Sequence, residues 1–460
     1  MPELFTVEAL LAATGGRAET LAAKSIGSIS IDSRELGEDA LFVAIKGDRF
    51  DGHDFVEAAF KNGAVAALVC KGGAGDGRIL VPDALEGLRD LARAARQRSR
   101  GVVVGVTGSV GKTTTKEAIR VVLSAAGRTH ASIKSFNNHW GVPLMLAGMP
   151  ENADFGVFEM GMSAAGEITP LTQLVRPHIA VITTIAPAHL GAFDSIDGIA
   201  AAKAEIFAGV EPGGTAVLNI DHEQAHLLTA AANAFGVRIV TYGFAPGADW
   251  HVGRLETTGD GSVAEIHHDG AIHSLLLNVP GRHMVANAVA AMAVAKIAGV
   301  EPDVALTALA GFGAQPGRGQ KLLLGPSDKP LLLVDESYNA NTASMTAALD
   351  VFGSQKASNG RKVLVLGDML ELGTESGKLH ASLAAAVNAS GADRVYLVGT
   401  HMAALAEALG GGRVVAHTQT AVEMADILVN DLAYGDAVMV KGSKGVGLAG
   451  IVDKIRNRFA

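Results

Sequence analysis

The sequence predicts an α/β fold of three domains: a small α/β unit, a central unit with a mostly parallel sheet, and a Rossmann-like, doubly wound unit. Three observations carry this. At 460 residues the chain exceeds what one hydrophobic core organises, so two or three domains are required. Glycine is plentiful (56) and aromatics are scarce (5%), which suits many strand-to-helix turns better than a β-sandwich. From about residue 100 onward, short apolar runs alternate with helical patterns, as parallel strands joined by crossover helices require.

Composition narrows the function classes. A net charge of −9 with no basic stripe argues against a nucleic-acid coat, so an anionic ligand would need local basic groups or helix termini. The single cysteine, Cys70, excludes an internal disulfide and suits a reducing cytosol. It follows the apolar run Ala64–Val69 and reads as a buried structural thiol. Glu3 and Glu8 stand near the start with no basic region leading into an apolar core, so no signal peptide is expected. Asn287 and Lys296 break the Ala-rich run Met284–Val300, a poor membrane span. A soluble cytoplasmic protein is expected.

Residues 1–98 form the first domain. Strand-like runs at Ile29–Ile31, Leu41–Ile45 and Ala66–Val69 alternate with loops, and a charged helix, Leu85–Arg98, closes it. Ser33 and Arg34, with the segment from Gly47 to His53, offer hydroxyl, guanidinium and imidazole groups for an anionic or uridine-bearing ligand. The same residues also read as polar turns joining strands.

The second domain, residues 99–314, opens on the stretch that organises the chain. Val102–Val106 reads as a buried strand, and Thr107-Gly108-Ser109-Val110-Gly111-Lys112-Thr113-Thr114 turns it into a helix. Glycines there let backbone N–H groups approach an anion, and the helix N-terminus adds its dipole. Lys112 reaches terminal phosphates, and the Thr113 hydroxyl can hold magnesium. Val106 stands where the first glycine of G-x-x-x-x-G-K-[ST] usually falls. Phe155–Glu159 is an apolar strand ending in a carboxylate, which a parallel sheet places at the same edge. Glu159 is then a hard ligand for a phosphate-bound magnesium, or else a solvated loop residue. Ile179–Thr183 and Ala216–Leu218 are further strands; His189 ends the first of these segments, and Lys203 sits among Ala201, Ala202 and Ala204. Taken alone, His189 and Lys203 read equally well as structural residues. Asn137 and Asn138 could line the same mouth. Ile239–Val279 reads as an added β-ribbon, and a helix beginning near His283 carries Asn287.

The third domain, residues 315–460, starts in the breaker-rich loop Gln315–Gln320. Its strands are Leu331–Val334, Val363–Leu366, Val395–Val398 and Ala437–Val440, separated by helical segments such as Ser376–Ala389 and Thr420–Leu432. Asn287, Arg318 and Asp335 sit where a base or ribose is held, and Arg318 suits a phosphate clamp from a second domain. Gly445–Gly450 matches G-x-G-x-x-G, but Ala460 leaves no room for the acidic second strand of a dinucleotide site. Close strand–helix packing explains those glycines.

Together these segments resemble the Mur ligase family, the ATP-dependent amide-bond formers of peptidoglycan synthesis. The resemblance runs through Asp32–Arg34 with Gly47–His53, Thr107–Thr114, Ser135–Asn138, Glu159–Gly161, Ala186–His189, Lys203, His283 with Asn287, and Gly317–Gly319. Asp335–Asn341, Gly367–Gly373 and Ser135–Asn138 single out the branch that adds D-alanyl-D-alanine to UDP-N-acetylmuramoyl-tripeptide. Lys441–Gly447 departs from the family pattern, with lysine and glycines in place of arginine and bulkier residues.

The resemblance implies a UDP-binding first domain (Ser33, Arg34, Gly47, His53), a central ATPase, and a third domain that closes over ATP and the dipeptide. It implies ATP contacts from Thr107 to Thr114 and from Asn287, Arg318 and Asp335, with Lys112, His189 and Lys203 catalytic. One magnesium would sit on Thr113 and Glu159, and a second on His189 and a carbamylated Lys203. A carboxylate would attack the γ-phosphate to give an acyl phosphate, which the D-alanyl-D-alanine amine then resolves. A cytoplasmic monomer serving cell-wall biogenesis, cell shape and division is implied, with no nucleic-acid partner. Two other readings share parts of the pattern. A folylpolyglutamate synthetase-like ligase would need a folate pocket in place of the first domain. A P-loop kinase or regulatory NTPase would need neither the first domain nor the third.

Overall fold

The computed structural model describes residues 3–73, 75–187, 190–410 and 412–460. The β-branched run Val102–Thr107 is a strand inside a nine-stranded sheet. In spatial order the strands are Ala271–Leu277, Ser262–His268, Trp250–Thr257, Arg238–Gly243, Thr215–Asn219, Ile179–Ile182, Val102–Thr107, Phe155–Glu159 and Thr129–Ala131. From Trp250–Thr257 to Thr129–Ala131 every pairing is parallel, which gathers the loops after those strands at one edge. The ribbon expected over Ile239–Val279 divides. Arg238–Gly243 belongs to the parallel sheet, and the next three strands extend that sheet, the last two antiparallel. The helix Arg282–Ile297 is buried on nearly every side, which explains an Ala-rich run with no amphipathic face. It packs against the helix Lys112–Ser124. Among the described residues no helix is long and apolar enough to cross a membrane.

The first domain holds a parallel sheet ordered Ser28–Ser30, Ala40–Val43, Ala64–Val69 and Arg78–Leu80, with a short antiparallel pair, Phe5–Thr6 and Ser25–Ile26. The third domain's sheet is ordered Gln320–Leu324, Leu331–Glu336, Ala437–Lys441, Lys362–Gly367, Arg394–Val398 and Val414–Thr418. Only its first strand is antiparallel, an edge strand that the sequence pattern had hidden.

The cores divide unevenly. Leu10, Leu68 and Leu88 of the first domain share one continuous cluster with Met145, Phe158 and Ile182 of the second. The third domain has two clusters of its own, one on each face of its sheet. A buried polar tie reinforces the first junction. On the helix Ala84–Arg98, Arg96 donates to the carbonyls of Val175 (2.8 Å) and Arg176 (2.7 Å) and pairs with Glu211 at 3.3 Å. Arg96→Ala should destabilise the protein by about 3 kcal/mol in denaturant titration, since it strands the buried carbonyls of Val175 and Arg176, while Glu211 keeps its pair with Arg176 at 2.7 Å. A loss below about 1 kcal/mol would mean that the tie contributes little.

Candidate active site

Gly108 has φ +142°, and a Cβ there would lie 2.0 Å from Thr183 Oγ1; Gly111 has φ +88°, and its Cβ would lie 2.8 Å from Asn287 Oδ1. Both positions therefore demand glycine. The loop between them is tied to the neighbouring strand's end: Ser109 N–H donates to the Thr184 carbonyl (2.7 Å), and Thr183 Oγ1 donates to the Val110 carbonyl (2.6 Å). Thr107 is fully buried at the end of its strand. Asn287 accepts from Thr115 Oγ1 at 3.1 Å, fixing the second domain's Ala-rich helix against the helix that follows the loop.

Glu159 is 1% exposed, and two side chains satisfy its carboxylate: Thr113 Oγ1 donates at 2.8 Å and Asn137 Nδ2 at 2.7 Å. A hydroxyl beside a buried carboxylate is a donor set that suits a hard divalent cation. Lys112 Nζ donates to the Gly108 carbonyl at 2.7 Å. Burial pushes its ammonium pKa down; Glu159 opposes this and the charge of Arg318 adds to it. Asn138 lines the same mouth and, accepting from Gly141 N–H at 2.9 Å, holds the start of the helix Gly141–Ala147.

These groups form one wall of a cleft of about 520 Å³, a volume that suits a nucleotide-sized ligand. The third domain supplies the other wall, including Arg318, Glu336, Tyr338, Asn339, Lys441 and Lys444. The Arg318 guanidinium stacks 4.3 Å over the Tyr338 ring, and the Lys444 ammonium lies 5.5 Å from its centroid. Lys441 pairs with Glu336 at 3.2 Å across adjacent strands. Sequence reasoning assigned no role to Glu336, Tyr338 or Lys441. Glu336 and Tyr338 belong to the Asp335–Asn341 segment and Lys441 opens Lys441–Gly447, but the pairing of two strands 105 residues apart has no local signal.

Two expected contacts are rearranged. Asp335 does not line the cleft; Oδ2 accepts from Gly317 N–H (3.0 Å), and Oδ1 accepts from Ser337 N–H (3.0 Å) and Oγ (2.6 Å). It shapes the turn that presents Arg318, while Glu336, pointing to the opposite side of the strand, faces the cleft. His53 likewise has both ring nitrogens engaged. Nδ1 lies 2.6 Å from Asp51 Oδ1, and Nε2 accepts from the half-buried Cys70's N–H at 2.9 Å. The imidazole joins two loops of the first domain.

Ser33, Arg34 and Gly47 do follow adjacent parallel strands of the first domain, which places them along one carboxyl edge. Ser33 is buried; the exposed Arg34 guanidinium is held by Asp32 (2.9 and 2.7 Å), whose carboxyl it lowers to about 2. Gly47 lies against Trp140 of the second domain, where a Cβ would come within 3.0 Å of the ring.

Lys203, on the helix Ile196–Ala204, is fully buried, and its Nζ has no hydrogen-bond partner among the described residues. Burial pushes its pKa far down and the charge of Lys112 adds to this, while Glu205 and Glu167 oppose. His189 lies outside the described residues.

Three family models match in order along the chain: "Mur ligase family, catalytic domain" over residues 25–96, "Mur ligase middle domain" over 106–295, and "Mur ligase, glutamate ligase domain" over 322–444. The UDP-N-acetylmuramoyl-tripeptide--D-alanyl-D-alanine ligase of Bacillus subtilis is 36% identical over 93% of this chain and 92% of its own. The crystal structure of MurF from Acinetobacter baumannii superposes with a TM-score of 0.85 at 30% identity, covering 98% of this chain and 99% of that one. MurF from Thermotoga maritima in complex with ADP gives 0.78 at 27% identity, covering 94% and 97%. Matched from end to end in this way, the chain belongs to the Mur ligase family.

Proposed function

We propose that the protein is an ATP-dependent ligase that joins D-alanyl-D-alanine to UDP-N-acetylmuramoyl-tripeptide in peptidoglycan precursor synthesis. The observation that carries this reading is the two-walled cleft: the phosphate loop faces the Asp335–Asn341 segment of a separately cored domain. A kinase or regulatory NTPase has no need of that second wall. The full-length relative named above bears the same activity in its name.

In this reading ATP lies along Thr107–Thr114, with Asn287 and Arg318 beside it and Asp335 acting only through the Arg318 turn. Ser33, Arg34 and Gly47 hold the UDP end, and His53 braces the Gly47 loop against the segment after Ala64–Val69. Lys112 stabilises charge on the γ-phosphoryl group as a substrate carboxylate oxygen bonds to phosphorus and the bond to the β-γ bridging oxygen breaks, releasing ADP. The dipeptide amine then bonds to the acyl carbon and loses a proton, and phosphate leaves. Thr113 and Glu159 would hold one magnesium; His189 with Lys203 as its carbamate would hold a second. These ions would screen the repulsion between carboxylate and triphosphate. The buried Lys203 Nζ, which has no hydrogen-bond partner among the described residues, supports the carbamate, because carbamylation would replace an unsatisfied ammonium with an anionic oxygen donor that a cation can satisfy. We place the enzyme in the cytoplasm as a monomer.

ADP release measured with each substrate alone and together tests the reading. Sustained ADP and phosphate release should need UDP-N-acetylmuramoyl-tripeptide and D-alanyl-D-alanine both present. Equal rates without either would point to a regulatory NTPase, and a glutamate requirement to a folylpolyglutamate synthetase-like ligase.

A further inference from the structure

Gly367–Gly373 is prominent in the sequence, yet the proposed chemistry uses none of its side chains. Its backbone is pinned from several directions. The Asp368 carboxylate accepts from the N–H groups of His401 (3.2 Å) and Met402 (2.9 Å), and its carbonyl accepts from Ser443 N–H at 3.0 Å. The fully buried His380 accepts from Met369 N–H at 2.9 Å through Nε2, while its Nδ1–H donates to the Ser376 carbonyl at 2.7 Å. Leu370 N–H donates to Ser443 Oγ at 3.0 Å. Glu371, with φ +64°, is held in left-handed backbone that a non-glycine residue keeps only where its surroundings impose it.

The tip of this rigid turn leaves its own domain. The Glu371 carbonyl accepts from Gly191 N–H of the second domain at 3.1 Å, and a Cβ on Gly191 would lie 3.6 Å from Gly373 N. Gly191 sits in the turn Leu190–Ala192, between the strand Ile179–Ile182 beside the phosphate loop and the helix that carries Lys203.

Resting on the ligase reading, we infer that Gly367–Gly373 is a docking element through which the third domain sets the Leu190–Ala192 turn for phosphoryl transfer. Glu371 and His380 are positioning residues, the first through its carbonyl and the second through Met369. Among the described residues the third domain shares no hydrophobic cluster with the other two, so a backbone contact of this kind links its placement to the Lys203 helix.

The test is a double-mutant cycle on the full-length enzyme, with kcat, the two substrate KM values and thermal melting measured for each variant. Gly191→Pro removes the N–H donor on an exposed turn, and Gly191→Ala retains it. His380→Ala frees the turn from the other domain. Gly191→Pro and His380→Ala should each lower kcat at least tenfold with KM values within twofold, and Gly191→Ala should lower it less than threefold. The double variant should be no worse than the poorer single one. If proline unfolds the protein, His380→Ala alone decides, by the same split between kcat and KM. Retained kcat, multiplicative losses, or equal damage from Gly191→Ala and Gly191→Pro would overturn the inference. Failure of wild-type ADP release to need both substrates would overturn the ligase reading instead, so the two failures are separable.

Discussion

Lys112→Ala should lower the rate of ADP formation by about 10³-fold while leaving UDP-substrate affinity within about threefold. The magnitude is that of removing one preorganised charge from a site where charge develops. The separation of effects follows from the fold. Lys112 begins a helix of the second domain, whereas Ser33, Arg34 and Gly47 lie along the edge of the first domain's own sheet. Hydrogen-bonded to the Gly108 carbonyl, the lysine braces the phosphate loop as well as carrying charge. The variant's apparent affinity for ATP should therefore also fall. Calorimetric titration with the UDP substrate and with a non-hydrolysable ATP analogue, beside a single-turnover assay for ADP, reads all three quantities. If UDP-substrate binding fell as far as the rate, the assignment of the two ends to different domains would fail.

What the sequence made legible follows from where local pattern determines structure. The phosphate loop was readable because Gly108 and Gly111 occupy positive-φ positions that also touch Thr183 and Asn287, leaving glycine as the residue that fits. Glu159 was readable because a short apolar strand running parallel to Val102–Thr107 can end only at the same edge. The direction in which Asp335 points is hidden for an equally physical reason. Leu331–Glu336 is covered on both faces, so its apolar run lacks the alternation that reveals which way each side chain points. One residue of parity separates Asp335, turned into its own loop, from Glu336 in the cleft. His53 shows a second limit, since its partner Cys70 is 17 residues away and an imidazole that joins loops resembles one awaiting a ligand. Short alternating runs over Ile239–Val279 announce the added β-strands Trp250–Leu277 but not that Arg238–Gly243 joins the parallel sheet, and the edge strand Gln320–Leu324, mostly half-buried, shows no alternation. The contact from Glu371 to Gly191 joins two backbones, and side-chain identity cannot announce it.

Lys203→Ala should be nearly inactive, with kcat down by about 10²-fold or more, the loss expected when a group organising transition-state charge is removed. A fully buried ammonium with no partner among the described residues is unfavourable: it forfeits hydration and gains no hydrogen bond from them, at a cost of about 1–3 kcal/mol for the unsatisfied group alone. Reaction of the neutral amine with carbon dioxide, losing a proton to give a carbamate, would convert a misplaced cation into a long anionic oxygen donor. Burial and the nearby charge of Lys112 both favour that neutral amine. Three consequences follow. Acetate should partly restore activity to Lys203→Ala by supplying a carboxylate in the vacated volume. Lys203→Arg should remain inactive, because a guanidinium keeps the charge but cannot carry the carbamate. In carbon dioxide-free buffer, Lys203→Met should be catalytically dead yet more stable than wild type by about 1 kcal/mol, because an apolar side chain removes the unsatisfied ammonium. A side chain serving only to pack would give the opposite ordering: Lys203→Arg would retain most of the rate and Lys203→Met would lose stability. Kinetics with and without added bicarbonate, combined with melting curves of the three variants, distinguish the two accounts. Full activity in Lys203→Arg would remove Lys203 from the metal site and require another ligand for the second ion.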